Sequence, residues 1–266
     1  MTTPSILQIG CGNMGGAMLA GWLAGGIPAA EFLVVDPLLE AAPAGVTLLR
    51  DLPEGGQFEV VLLGFKPQQL AEAAPAIASL VGPQTLLLSI LAGVDLTTLR
   101  SRFPEAGGIV RVMPNLAAAL GKSPIALVGD AGEGHRALTD KLMAPLGQAE
   151  WLADENLMDL VTALAGSGPA FVYRVIDALA RGGEALGLPA EQADRLALSM
   201  VEGSAALAAA SQYSPAELAR RVASPGGVTQ YGLDVLDDNG RVFSLFKDTL
   251  RAARDRSAEM TRAARG

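Results

Sequence analysis

Ile6-Leu7-Gln8-Ile9-Gly10-Cys11-Gly12-Asn13-Met14-Gly15 runs a short apolar stretch into three closely spaced glycines, and Met14 to Ala24 then reads as a helix. In a strand, turn and helix of this kind each glycine has its own task. Gly10 permits the tight turn, Gly12 lets a phosphate approach the backbone without meeting a side chain, and Gly15 lets helix and strand pack closely. The helix start offers N–H groups with no intrahelical partner and the positive end of the helix dipole, which suits a pyrophosphate. With 31 glycines in the chain the spacing alone is weak. What strengthens it is a second apolar run, Phe32 to Asp36, ending in a carboxylate about 20 residues beyond the last glycine, where it would meet the hydroxyls of an adenosine ribose. Gly10, Cys11, Gly12, Asn13, Met14, Gly15 and Asp36 are therefore candidate dinucleotide contacts, with Cys11 acting through its backbone. Asp36 would repel an added 2′-phosphate, so NADH is slightly favoured over NADPH. The alternative for Asp36 is a turn residue, because Asp-Pro starts turns readily.

Outward from this motif, apolar β-type runs recur at Val60 to Gly64, Thr85 to Ser89, Ile109 to Val112 and Ile125 to Val128. Between runs lie helix-length segments such as Pro67 to Leu80 and Glu133 to Leu146. The alternation predicts an α/β architecture with a doubly wound, mainly parallel sheet of the Rossmann type over residues 1–150. Pro67 fits the first turn of a helix, whereas Pro75 is expected to end or kink it. Beyond residue 150 the strand signals cease and Ala-, Leu- and Arg-rich helical patterns take over, which predicts an all-α domain over 151–266. Its segment Glu191 to Ala210 is apolar or small around most of its circumference, so either a partner subunit or the rest of the chain covers it.

Bulk properties narrow the function. A net charge of −8 argues against a nucleic-acid or anionic-membrane footprint. The single cysteine rules out an intrachain disulfide and a multi-cysteine metal site. The start Met-Thr-Thr-Pro shows no basic segment ahead of a long apolar run, and no run approaches the roughly 18 residues of a membrane span, so a cytoplasmic protein is expected. His135, the one histidine, reads as a surface residue. No nucleophile elbow and no metal-ligand cluster is present, so neither hydrolysis nor a bound metal is expected.

Two glycine clusters interrupt the helical half, Ala165-Gly166-Ser167-Gly168-Pro169-Ala170 and Ser224-Pro225-Gly226-Gly227-Val228-Thr229. Glycine inside a helix costs about 1 kcal/mol relative to alanine, so such clusters mark loops, kinks or close approaches. The second precedes a predicted helix over Thr229 to Leu236, and its free N–H groups would hold a small carboxylate. The alternative is an ordinary N-cap by Thr229 or Ser224.

Gly-Cys-Gly-Asn-Met-Gly, Phe65-Lys66-Pro67-Gln68, Arg111-Val112-Met113-Pro114-Asn115, Ala165 to Phe171 and Ser224 to Thr229 occur in the order found in one family, and the chain resembles the pyrroline-5-carboxylate reductases from about residue 5 to residue 250. The resemblance implies NAD(P)H-dependent reduction of 1-pyrroline-5-carboxylate to L-proline, the last step of proline biosynthesis. It further implies a helical domain interlocked in an obligate homodimer, often assembled into rings of dimers. Ser224, Gly226, Gly227, Val228 and Thr229 would bind the substrate carboxylate, with the Thr229 hydroxyl near the ring nitrogen as the candidate catalytic group. Phe65, Lys66 and Pro67 would flank the cofactor, Ala92, Gly93 and Asn115 would lie near its nicotinamide half, and Asp51 near its adenosine ribose. The chain departs from the family pattern in carrying Phe171 for Tyr, Ala165 for Ser and Asp51 for Asn. Arg220 and Arg221 are candidates for a cofactor phosphate or else a solvated helix face. The alternatives are a related imine or β-hydroxyacid-type reductase, for which Lys247 is misplaced, and a non-catalytic dinucleotide-sensing protein.

Overall fold

The computed structural model describes residues 5–264; the Met1 to Pro4 start lies outside them. The chain divides into two compact units. One runs through Ser167 and resumes at Ala253, and the other is Gly168–Ala252. Residues 151–167 and the chain from Ala253 thus belong with the first unit.

The first unit is built on eight strands: β1 (Ile6–Ile9), β2 (Phe32–Val35), β3 (Thr47–Leu49), β4 (Val60–Leu63), β5 (Leu86–Ser89), β6 (Gly108–Met113), β7 (Ser123–Gly129) and β8 (Gly147–Trp151). They form one sheet in the order β3-β2-β1-β4-β5-β6-β7-β8. Every pairing is parallel except β6 with β7. The exception has a local cause. Between β6 and β7 the chain makes only the 3-10 turn Leu116–Leu120, too short for the crossover that a parallel return requires.

Buried strands alternate their side chains between two cores. Val34, Val60 and Leu62 join Met18, Leu19 and Trp22 of α1 (Asn13–Ala24) on one face. Leu33, Val61 and Leu63 join Leu70 and Ile77 of α2 (Leu70–Ala78) and Leu99 of α3 (Leu96–Arg102) on the other. Such two-sided burial is why these strands read as continuous apolar runs. The Trp22 indole N–H donates to the Leu142 carbonyl at 2.7 Å, tying α1 to α4 (Glu133–Met143).

Two strands were not legible in the sequence. β3 has three residues, none of them fully buried, and β8 has Gly-Gln-Ala-Glu-Trp on an alternately exposed edge. Pro75 lies inside α2, which continues to Ala78 and so does not end at the proline. A proline removes one N–H from the ladder, and α2's apolar face, buried through Leu70, Ala74 and Ile77, offsets that loss. After α5 (Met158–Val161) comes a π-helical turn, Thr162–Gly166.

The second unit is helical: α6 (Gly168–Ala185), α7 (Ala190–Ala210), α8 (Pro215–Val222), α9 (Val228–Asp237) and the first part of α10 (Arg241–Ala264). Its buried cluster consists of Ala180, Ala193 and Ala197, with Ile176 packed against them. Leu186, Leu198, Leu207, Tyr231, Val235 and Phe243 are all exposed, Leu186 by 92%. Among the described residues no helix is long and apolar enough to cross a membrane.

Candidate functional site

Strand order reverses between β1 and β4, whose neighbours β2 and β5 lie on opposite sides. At such a switch point the loops leaving the carboxyl ends of the strands diverge and open a crevice. The first of these loops carries the glycines. Gly10 has φ +90°, and a β-carbon added there would lie 2.6 Å from the Gly64 carbonyl carbon and the Phe65 nitrogen. One added at Gly15 would lie 2.6 Å from the Gly10 oxygen. Gly12 is different. It forms the N-cap of α1 without a side-chain hydrogen bond, and a β-carbon there would meet nothing within 4 Å. Two glycines are thus required by packing, and the third leaves open space before unpartnered N–H groups. Those features fit a dinucleotide pyrophosphate.

Gln8 sits fully buried below this loop, its Nε2 donating to the Gly10 oxygen at 3.2 Å and its Oε1 without a hydrogen-bond partner. Burial, reinforced by the negative charge of Asp36, pushes the Cys11 thiol above its ordinary range, so Cys11 stays neutral and contributes through its backbone.

Asp36 leaves β2 beside that loop. Its Oδ2 accepts from Cys11 N–H at 2.7 Å, and its Oδ1 accepts from the N–H groups of Leu38 at 2.8 Å and Leu39 at 3.0 Å. Burial opposes ionisation of this carboxyl, but the three N–H donors and the nearby Arg50 charge outweigh it and hold Asp36 below its ordinary range. The turn seen as an alternative is therefore present, and the same carboxylate also braces the glycine loop. Asp51 is exposed, two residues past β3.

Phe65, Lys66 and Pro67 follow β4. Lys66 N–H donates to Gln69 Oε1 at 3.1 Å, and Pro67 opens the turn Pro67–Gln69. Ala92 and Gly93 follow β5, with Gly93 at φ +78° and its α-carbon face against the backbone of Met260 and Thr261. That segment of α10 is fastened to the first unit by Asp159, whose Oδ1 accepts from Ser257 Oγ at 2.7 Å and Thr261 Oγ1 at 3.3 Å. Asn115 follows β6 and is buried. Its Oδ1 accepts from Ala117 N–H at 2.9 Å and its Nδ2 donates to the Ala165 carbonyl at 3.0 Å. Pro169 has no N–H to offer that carbonyl, so Asn115 takes the place of a helix donor. The contact uses the backbone, which makes it indifferent to Ala165 standing where Ser is usual. The loops of Gly10–Gly15, Asp36, Asp51, Phe65–Pro67, Ala92–Gly93 and Asn115 all leave the same edge of the sheet.

In the second unit, Ser224 to Thr229 links α8 to α9. Gly226 has φ +70°, Gly227 is the N-cap, and no side chain caps the helix, so neither Thr229 nor Ser224 fills the N-cap role. Gly227 N–H donates back to the Ser224 oxygen at 2.9 Å, and Val228 and Thr229 are exposed. Arg220 and Arg221 both pair with Glu217, and Arg221 stacks over the Tyr213 ring at 3.6 Å. Lys247 lies over the Phe243 ring of its own helix. His135 faces the Gln84 carbonyl at 3.2 Å and packs beneath Gly107 and Gly108, a structural position. Among the described residues no group of three or more His, Cys, Asp or Glu side chains could hold a metal.

A family model described as pyrroline-5-carboxylate reductase dimerisation matches residues 155–260. A pyrroline-5-carboxylate reductase from Pseudomonas aeruginosa is 36% identical, with 98% of each chain covered. The solved structure of such a reductase from Coxiella burnetii superposes with a TM-score of 0.88 at 28% identity, covering 98% of this chain and 99% of that one. The Plasmodium falciparum pyrroline carboxylate reductase, solved with NADP bound, shares the fold with a TM-score of 0.81 at 23% identity, covering 98% and 99%. Sequence and fold agree along essentially the whole length: the chain belongs to the pyrroline-5-carboxylate reductase family.

Proposed function

We propose that this protein reduces 1-pyrroline-5-carboxylate to L-proline with a nicotinamide dinucleotide as hydride donor. The observation that carries the reading is the match to the Pseudomonas aeruginosa reductase over 98% of both chains. The tight packing required at Gly10 and Gly15 of the glycine loop supports it. The bound cofactor supplies a hydride, and the protonated imine carbon accepts it, so that C=N becomes C–N with one hydride and one proton taken up per proline.

The protein's part is mostly positioning, because a protonated imine is already electrophilic. Backbone N–H groups of the glycine loop hold the pyrophosphate, with Phe65, Lys66 and Pro67 flanking the cofactor and Ala92, Gly93 and Asn115 near its nicotinamide half. The uncapped start of α9 supports a role for Gly227, Val228 and Thr229 in binding the substrate carboxylate, with Ser224 and Gly226 shaping the bend. The Thr229 hydroxyl orients the ring nitrogen. Threonine is too weak an acid to be the proton source, and Phe171 has no phenol to give, so water supplies the proton. NADH is the favoured donor because Asp36, after β2, and Asp51, two residues past the neighbouring β3, place negative charge at the adenosine end. The helical unit carries the dimer surface, and its exposed apolar side chains support a homodimer; rings of such dimers are what the family resemblance adds.

Replacing Thr229 by alanine removes one oriented hydroxyl, worth roughly 1.4 kcal/mol or a tenfold change. Proline formation followed through NADH oxidation should show kcat/KM down about tenfold with NADH affinity retained. Unchanged kcat/KM would remove Thr229 from the site.

A further inference from the structure

Arg50 follows β3, which pairs in parallel with β2 so that Val35 lies opposite Leu49; residues 36 and 50 therefore leave the sheet side by side. The exposed Arg50 guanidinium reaches across that junction. Its Nη1 donates to the carbonyl oxygens of Asp36, at 3.2 Å, and of Leu39, and its Nη2 to that of Glu40, at 3.2 Å. All three acceptors are neutral, so these bonds themselves set no counter-charge on the guanidinium. The same short loop is held from the other side, since its Leu38 and Leu39 N–H groups donate to the Asp36 carboxylate. A cation thus sits beside the carboxylate expected at the adenosine ribose, where its charge so far serves to hold Asp36 ionised.

We propose that Arg50 sets the cofactor ratio of this enzyme: its guanidinium receives the 2′-phosphate of NADPH, so Asp36 disfavours NADPH without excluding it. This deepens the dinucleotide reading and rests on it. A phosphate oxygen is a stronger acceptor than a peptide carbonyl, because charge-assisted guanidinium–phosphate bonds are shorter and commonly bidentate. The fork can therefore exchange carbonyls for phosphate. The Arg50 charge is already felt at the Asp36 carboxyl, beside the larger effects of burial and the three N–H donors. With NADH, Arg50 keeps its carbonyls and the loop is unchanged.

The test is calorimetric titration of NADH and NADPH into the wild-type protein, Arg50→Ala and Arg50→Lys. The wild type should bind both, NADH the tighter by no more than about tenfold. Arg50→Ala should weaken NADPH about tenfold or more and NADH by no more than about threefold, with Arg50→Lys in between, because lysine keeps the charge but not the fork. Equal weakening of both cofactors would make Arg50 a loop brace only and overturn the proposal, as would unchanged NADPH affinity. If the wild type bound neither cofactor, the dinucleotide reading and this proposal would fall together. If it bound both but made no proline, the reductase reading would fall while Arg50 was still judged on its affinity ratio.

Discussion

Gly10 and Gly12 stand two residues apart in one motif and are there for opposite reasons. An alanine at Gly10 would drive its β-carbon to 2.6 Å from the Gly64–Phe65 backbone at a φ of +90°. Gly10→Ala should therefore cost about 2–4 kcal/mol of folding stability, read as the midpoint of urea unfolding. Gly12 has φ −69° and open space around it, so Gly12→Ala should change stability by less than about 0.5 kcal/mol while weakening cofactor binding about tenfold or more. If both variants lost stability equally, the loop would be a structural turn. Asp36 supplies a second test. Its folded pKa is depressed, so its contribution to stability is fully present above the unfolded value near ~3.9 and is lost as pH falls through the lower folded value. The difference in melting temperature between wild type and Asp36→Asn should shrink as pH drops from 6 toward about 3; a constant difference would mean that the carboxylate charge does not matter there. At this scale the motif glycines and Asp36 were legible because backbone demands select residue types directly. Arg50 was not, because its partners are carbonyls, which leave no trace in side-chain spacing.

At the scale of elements, the long apolar runs announced themselves, whereas β3 and β8 stayed hidden because they are short or edge strands with half-exposed faces. The tie between β6 and the start of α3 depends on a pair no periodicity reveals. Arg111, with its side chain 6% exposed, meets Glu155 at 2.7 Å, and the same Glu155 oxygen accepts from Leu96 N–H at 2.8 Å. Glu155 thereby links β6 to the start of α3. Glu155→Ala would strand a buried guanidinium and an amide, and should cost about 2–4 kcal/mol in chemical denaturation. Restoring most of that stability in an Arg111→Met, Glu155→Leu double variant would confirm that the loss came from the stranded charge. No recovery would point to packing instead. Asn115 shows the same blindness: its place in the Arg-Val-Met-Pro-Asn motif was visible, but its bond to the Ala165 carbonyl could not be read from positions 50 residues apart.

For the whole molecule, the sequence's over-apolar helices become a helical unit whose buried cluster is three alanines and whose Leu, Val, Tyr and Phe side chains stay exposed. So little core does not stabilise a unit alone, and a matching apolar surface is the usual remedy. The dimerisation family model covers this stretch. Division of labour was legible as a strand-rich part followed by a helical one; the return of the chain from Ala253 to the first unit was not, because it rests on Asp159 meeting Ser257 and Thr261, 98 and 102 residues further along the chain. The proposed reaction is hydride delivery to a small anionic ring. The sharpest test is turnover of 1-pyrroline-5-carboxylate with nicotinamide cofactor deuterated at the transferring position, with the proline examined by mass spectrometry and NMR. One deuterium should appear on the ring carbon that was the imine carbon, with cofactor consumed in equal amount; proline free of deuterium, or none formed, would contradict direct transfer at this site.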